Sequence, residues 1–484
     1  MDNDKRVELY SALVMELMDG IDAGDFKDPM SIPEKYKWKH LEALFFLSDM
    51  LNGGTELFEK IHDFVIKSGE LRIKEKAKNN EKIKVAFESY SSAQWPAEYV
   101  YRKLKKDSRF DVNIFVSKFI SRGKEISIDN YEQTYGWFKD NGYSVLPGYD
   151  IEKDRANTWA DVGGYPDILY NLSLWYMDLE EAHRFTELPL YVLPGYIDYA
   201  MLVINDEKEE YLKFAHYNKE ITNLSWKVYS DIKENYDGFV KYELLKGKNV
   251  NLSGYTKMDY FYEDHTYDES EVEKLWKIPW GRKVGDMKKV IIAPHHSLSD
   301  DALLHFATFD KNLWFLYYLA KKYQNEITFV FKPHPNLKIA AVKAGLFKSY
   351  EAYDKYLKMW DELPNAKVVN EASYLEYFDT SDAMILDSCS FIVEYMYTGK
   401  PYLFLKRDRQ NFTETGKKIL DSQYTADGED YINIEKFVEE IVLKGGDVKK
   451  ELRQDVFAKE LDYMHINGKL ASDVIVEDVL KLLD

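Results

Sequence analysis

A single cysteine, Cys389, stands in 484 residues, which excludes an internal disulfide and any cysteine-built metal centre and fits a reducing compartment. No run of about 18 apolar residues is present to cross a bilayer, and no charged, apolar and small-residue order of the secretory kind opens the chain. The expectation is a cytoplasmic protein, with a peripheral position at the inner face of the membrane left open. Basic residues are in deficit: 65 Lys and Arg against 84 Asp and Glu give a formal charge of -19. Such a surface repels nucleic acid and anionic lipid, so a phosphate-bearing ligand has to be held by a local cluster of donors. The Walker A, G-x-G-x-x-G, HExxH and GxSxG sequences are all missing, which removes support for the common kinases, dehydrogenases, zincins and α/β-hydrolases.

What is present is chain enough for two or more hydrophobic cores. Residues 1–80 read as a helical extension, with HLEALFFLSDML and ELFEKIHDFVI at helical apolar spacing on either side of Gly53-Gly54. From Ile83 the pattern becomes short apolar runs separated by helical stretches: IKVAFE, DVNIFVS, YSVLPG, PDILYN and LPLYVLPG. That alternation predicts a parallel sheet covered on both faces, over residues 81–270. A charged stretch, EDHTYDESEVEKLW, reads as a linker. A second series, KVIIAP, ITFVFKPHP, AKVVN, AMILD and PYLFL, predicts another doubly wound domain over residues 285–484, closed by a segment that packs back across the domains. The fold class is therefore α/β, two Rossmann-like domains behind a helical extension.

The richest stretch, residues 381–401, reads as strand AMILD, a tight turn Ser388-Cys389-Ser390, and an apolar helix stopped by Gly399. In doubly wound sheets ligands lie beyond the carboxyl ends of strands, and uncapped amides there suit a diphosphate. Serines also cap helices, so this segment alone leaves both roles open. Glu394, an acid on an apolar helix, needs partners: ribose hydroxyls, or an internal salt bridge to Lys400 or Lys406. Lys332 and His334 end the ITFVF strand and fall on one face if extended, positioned to neutralise or protonate a leaving diphosphate. His295 and His296 end KVIIAP ahead of Ser297, Ser299, Asp300 and Asp301. Neighbouring side chains of an extended segment point apart, so one histidine is expected at the phosphates, the other in a structural role, and no metal site emerges. In the first domain Glu88, Asp198 and His216 are candidates for the base that an acceptor hydroxyl requires.

Taken together, FVFKPHP, SDAMILDSCSFIVEYMYTGKPYLFL and YMHINGKLASDVIVEDVL resemble the CDP-glycerol glycerophosphotransferase family of teichoic acid and capsule synthesis, over residues 83–484 and most specifically 289–405. NLSWKVYSD and KGKNVNLSGYTKMDYF add weaker matches. The resemblance implies a GT-B architecture, an acceptor domain at 81–270 and a nucleotide-donor domain at 285–484. It places His334 on the donor phosphates, with His295 and His296 in a phosphate-facing loop, Ser388 and Ser390 in the diphosphate turn around Cys389, and Glu394 at the ribose. The family's HGTP motif has no counterpart here; PGYID holds its strand-end place, and Asp198 or His216 stands in for its histidine. The implied reaction moves glycerol phosphate, or a related polyol phosphate, from a CDP-activated donor to a hydroxyl of a glycan or polyol-phosphate polymer, lipid-linked or free. No cofactor is called for, the CDP-linked donor being a substrate. A nucleotide-sugar glycosyltransferase and an inactive nucleotide-binding scaffold are the alternatives.

Overall fold

The computed structural model describes residues 3–50, 54–121, 123–198, 202–205, 213–299, 304–370 and 373–484. The chain divides into two compact units, one of residues 1–199, 211–259 and 463–484, the other of residues 200–210 and 260–462.

The first unit opens with helices α1 (Asn3–Ala23), α2 (Trp38–Met50) and α3 (Thr55–Lys78). Gly54 precedes α3 in the left-handed region at φ 91°. Helix α2 is buried on nearly every side, with Trp38, Leu41, Glu42, Leu44 and Phe45 all inside. Polar groups tie the helices to the rest of the unit: Trp38 Nε1 donates to Val192 O at 2.8 Å, and Tyr176 OH donates to Glu42 at 2.8 Å. A purely apolar face would pack without choosing a register; these buried hydrogen bonds choose one.

Behind the helices lies a seven-stranded parallel sheet. Its strands are β1 (Ile83–Ser89), β2 (Phe110–Val116), β3 (Val145–Pro147), β6 (Ile168–Asn171), β7 (Leu193–Ile197), β8 (Lys227–Ser230) and β9 (Val250–Leu252). The two-residue β4 (Tyr149–Asp150) and β5 (Arg155–Ala156) form a separate hairpin. The order is β3-β2-β1-β6-β7-β8-β9, so the winding reverses between β1 and β6. Both faces are covered, which is why β1, β6 and β7 read as nearly unbroken apolar runs. Gly195 in β7 pairs with Tyr170 of β6. A Cβ at 195 would fall 2.6 Å from the Tyr170 ring, so glycine is required there for the two strands to keep their spacing. The closing helix Ala471–Lys481 returns to this unit, its Ile475 and Val479 joining Val100, Leu104 and Phe110 in the core. Asp259 holds its start by accepting from the Ala471 and Ser472 amides at 3.1 and 2.9 Å.

The second unit is built on six parallel strands, β10 (Lys288–Ala293), β11 (Ile327–Phe331), β12 (Ala366–Val368), β13 (Ala383–Leu386), β14 (Tyr402–Lys406) and β15 (Tyr424–Asp427). Their order, β12-β11-β10-β13-β14-β15, is the Rossmann winding, reversing between β10 and β13. Its core stacks Phe331 on Trp360 at 4.6 Å between ring centres and runs through Ile292, Phe329, Ile385 and Leu403. The charged stretch 263–276 forms the helix Glu269–Leu275, opened by a reciprocal capping box between Asp268 and Glu271. Trp276 follows it and is buried, with Nε1 donating to Thr380 Oγ1 at 2.8 Å. Among the described residues no helix is long and apolar enough to cross a membrane.

Candidate functional site

At the reversal point of the second sheet, the connections leaving β10 and β13 run in opposite directions and open a crevice beyond the strand ends. The residues of this crevice are fixed from below by Asp387, the first residue past β13. Its buried carboxylate accepts from the His295 amide and the Thr308 amide, both at 2.5 Å, and from Thr308 Oγ1 at 2.8 Å. One side chain thus fastens the β10 loop and the residue before helix Phe309–Lys322 to the end of β13. Burial pushes this carboxyl up to about 6, against the pull of the three donors. Composition alone did not mark Asp387 or Thr308; the signal available was a lone acid ending an apolar strand.

His295, His296 and His334 come together, with ring centres 4.4, 5.2 and 4.1 Å apart in the pairs 295/296, 295/334 and 296/334. The expectation that adjacent histidines point apart does not hold, because the chain bends there: the Leu298 amide donates back to His296 O at 2.9 Å. His334 is brought in by its own amide, which donates to Pro294 O at 3.0 Å, just as the Lys332 amide donates to Ile292 O at 2.8 Å. Asp300 and Asp301 lie outside the described residues.

The three imidazoles offer ligand atoms within 4.8 Å of one another, a spacing that could hold a metal ion. The local hydrogen bonds favour an anion instead. Backbone N–H groups donate to Nδ1 in two of the rings, from Ser297 to His295 at 3.3 Å and from Asn336 to His334 at 3.1 Å. A backbone amide can only donate, so each Nδ1 is the acceptor and each neutral ring carries its proton on Nε2. A metal at Nε2 would need the opposite tautomer. Burial, with the two other rings beside it, pushes His295 well below the usual histidine range, so it stays neutral and acts as a donor. Ser297 Oγ lies 2.7 Å from His295 Nδ1 and accepts from the Phe306 amide at 2.9 Å. Ser297→Ala is expected to leave His295 in the Nε2–H form, because the amide donor to Nδ1 remains, and to cost about 1–2 kcal/mol for the stranded Phe306 amide. Nitrogen-resolved NMR of the imidazoles checks the tautomer; appearance of an Nδ1–H signal for His295 counts against it.

The turn Ser388-Cys389-Ser390 follows Asp387 directly. Ser390 stands at the start of the helical segment Phe391–Glu394, yet its side chain makes no capping hydrogen bond, so the capping role open to it in the sequence is not the one it plays. The first amides used internally are those of Val393 and Glu394, both donating to Ser390 O. Those ahead of them are not consumed by the helix. The segment then tightens into the 3-10 turn Tyr395–Thr398 and stops at Gly399, in the left-handed region at φ 67°. Cys389 is partly exposed, but burial of its sulfur and the neighbouring Asp387 push the thiol well up, which disqualifies it as a nucleophile.

Glu394 is 2% exposed and accepts from Tyr374 OH. The salt bridge considered for it does not form. Lys400 Nζ donates to the carbonyls of Phe378 and Asp379, and Lys406 pairs with Asp427 at 3.9 Å. Lys332 lies over the Tyr374 ring, 5.2 Å from its centre, so Lys332, Tyr374 and Glu394 form a connected set that the sequence did not link.

In the first unit, Asp198 is the residue after β7 and meets His216, Oδ2 to Nε2, at 3.2 Å. Tyr196 OH donates to the other oxygen of Asp198 at 3.2 Å. Asp231, one residue past β8, accepts from the Ile232 amide at 2.6 Å and from Asn235 Nδ2 at 2.8 Å. Burial first and the charge of Asp198 second push Asp231 well above the carboxylate range. Glu88, in β1, accepts from Ser117 Oγ at 2.8 Å.

The CDP-Glycerol:Poly(glycerophosphate) glycerophosphotransferase family matches residues 211–481. No curated protein matches the chain. Among solved structures, the wall teichoic acid polymerase TagF aligns at 13% identity with a TM-score of 0.53, over 92% of this chain and 99% of that one. A variant of TagF soaked with CDPG aligns at 14% identity and TM-score 0.50, over 92% and 97%. UDP-GlcNAc 2-epimerase from Neisseria meningitidis, bound to UDP-GlcNAc, aligns at 16% identity and TM-score 0.47, over 83% and 100%. At these identities the likeness is one of fold, and it is the GT-B class read from the sequence.

Proposed function

The chain belongs to the CDP-glycerol:poly(glycerophosphate) glycerophosphotransferase family, and from that premise we propose that it transfers glycerol phosphate, or a related polyol phosphate, from a CDP-activated donor to a hydroxyl of a teichoic-acid-like or capsular polymer. The acceptor oxygen attacks the phosphorus that carries the polyol, the bond from that phosphorus to the oxygen of the CMP phosphate breaks, and CMP leaves. The proton of the hydroxyl passes to a base. Positioning and charge stabilisation supply most of the catalysis in such a displacement.

The observation that carries this reading is the fixed Nε2–H tautomer of His295 and His334 at the reversal point of the second sheet. Two neutral N–H donors, with His296 beside them, hydrogen-bond a diphosphate in a site where the protein's overall charge of -19 works against binding. The amides and hydroxyls of Ser388, Cys389 and Ser390 supply further donors, Lys332 supplies positive charge, and Glu394 takes the ribose hydroxyls. His216, oriented by Asp198, is the base on the acceptor side. A lipid-linked acceptor would bring the enzyme from the cytoplasm to the inner face of the membrane.

Glu394→Ala is expected to raise the KM for CDP-glycerol about tenfold, the loss of one or two ribose hydrogen bonds, with kcat nearly unchanged. Steady-state kinetics separate the two; a fall in kcat at constant KM would place Glu394 elsewhere. The reading as a whole is tested by incubating the protein with CDP-glycerol, a panel of nucleotide sugars and a poly(glycerol phosphate) acceptor. CMP release with chain growth supports it. Release of nucleoside diphosphate from a sugar donor alone would make the protein a glycosyltransferase, and binding without turnover would make it a scaffold.

A further inference from the structure

We propose that the carboxyl ends of β1 and β6 form a second binding site, in which Glu88 and Asn171 hold hydroxyl groups of the polyol-phosphate acceptor. The identity of that ligand rests on the function proposed above; the existence of the site rests on its geometry. β1 and β6 are the two strands between which the first sheet reverses its winding, the place in a doubly wound sheet where a crevice opens. Glu88 and Asn171 are register partners across these strands and therefore project from the same face.

Asn171 is 2% exposed, and neither its Oδ1 nor its Nδ2 has a hydrogen-bond partner. A primary amide carries two donors and an acceptor, and leaving all of them unmet inside a protein is costly and rare. Glu88 beside it is 4% exposed and receives one donor, Ser117 Oγ. Burial pushes its carboxyl up to about 8, so near neutral pH it is a neutral acid with an O–H to give and a C=O to receive. A neutral acid facing an unused amide is poor chemistry for a cation or a phosphate. It suits neighbouring hydroxyls, each of which donates once and accepts twice.

The same row continues along the sheet. Tyr196 is the register partner of Asn171 on β7, and its hydroxyl donates to Asp198, which meets His216. Polar groups therefore follow one another from Ser117 through Glu88, Asn171 and Tyr196 to the Asp198–His216 pair, within one unit. A polyol end held by its hydroxyls at Glu88 and Asn171 presents its next hydroxyl toward the proposed base.

The test uses the full chain, with a soluble poly(glycerol phosphate) oligomer as probe by saturation-transfer NMR and CDP-glycerol by calorimetry. Asn171→Leu, of similar volume, is expected to weaken the oligomer about tenfold while leaving CDP-glycerol binding within about twofold. Its melting temperature should hold or rise, since an unmet amide leaves the interior. Glu88→Ala should weaken the oligomer similarly, and Glu88→Gln, which keeps one donor and one acceptor, should restore it to within about threefold. Wild-type affinity for the oligomer in both Asn171→Leu and Glu88→Ala overturns the site and leaves a trapped water as the partner of Asn171. Failure of the wild type to bind CDP-glycerol, with the oligomer bound and lost on substitution, overturns the donor reading and leaves this site standing.

Discussion

Replacing His334 with alanine is expected to lower kcat/KM for transfer from CDP-glycerol roughly a hundredfold, the size of effect seen when one preorganised donor to developing charge is removed. The expectation follows from where its proton is. The Asn336 amide donates to Nδ1, so the ring presents Nε2–H without having to be protonated. His334→Asn, which keeps an N–H donor, should recover part of the rate. Melting temperature should change little, since the ring is only partly buried. Stopped-flow or coupled CMP release measures the rate; a variant with full activity would remove His334 from the proposed donor site.

Asp387→Ala is expected to cost about 2–4 kcal/mol of stability, because it strands three buried donors, the His295 amide and both donors of Thr308. Donor binding should fall at least about tenfold with it, as the loop after β10 is no longer tied to the turn after β13. Chemical denaturation and calorimetry with CDP-glycerol measure the two effects. The pH dependence has a definite sign. The folded carboxyl titrates at about 6 against roughly 3.9 in the unfolded chain, so the folded state holds the proton more tightly. That contribution is fully present below the unfolded value and is lost as the pH climbs through the folded one. Relative to Asp387→Asn, which cannot titrate, the wild type should lose stability on going from about pH 4 to pH 6. A flat difference would mean the carboxylate is ionised throughout.

The strands legible in the sequence were most of the buried interior ones, together with two short edge strands, β3 in YSVLPG and β12 in AKVVN. IKVAFE, ITFVF and AMILD are mostly apolar runs because helices cover the sheet above and below, and each became an interior strand. β9 and β15 were not legible: each ends its sheet, is three or four residues long, and buries a single residue fully, Val250 in β9 and Ala426 in β15. A short edge strand takes its conformation from the neighbour it pairs with rather than from its own composition. At the proposed donor site the sequence named candidate residues without showing the relations between them. His295 and His296 converge because of a bend two residues long, and Asp387 matters through backbone donors that belong to distant stretches of chain. Periodicity carries no trace of either. Tyr374 was invisible for a related reason, as one tyrosine among 38.

The return of helix Ala471–Lys481 to the first core has a bearing on how the protein is made. That helix emerges from the ribosome only after residues 260–462, which build nearly all of the second unit. At roughly 5–20 residues per second, this leaves the groove around Val100 and Leu104 uncovered for about 10–40 s after the rest of its sheet has been synthesised. The later half of the gene is thus free to reach its native state ahead of the earlier half. During that interval the nascent chain displays a greasy seam of the kind that chaperones bind.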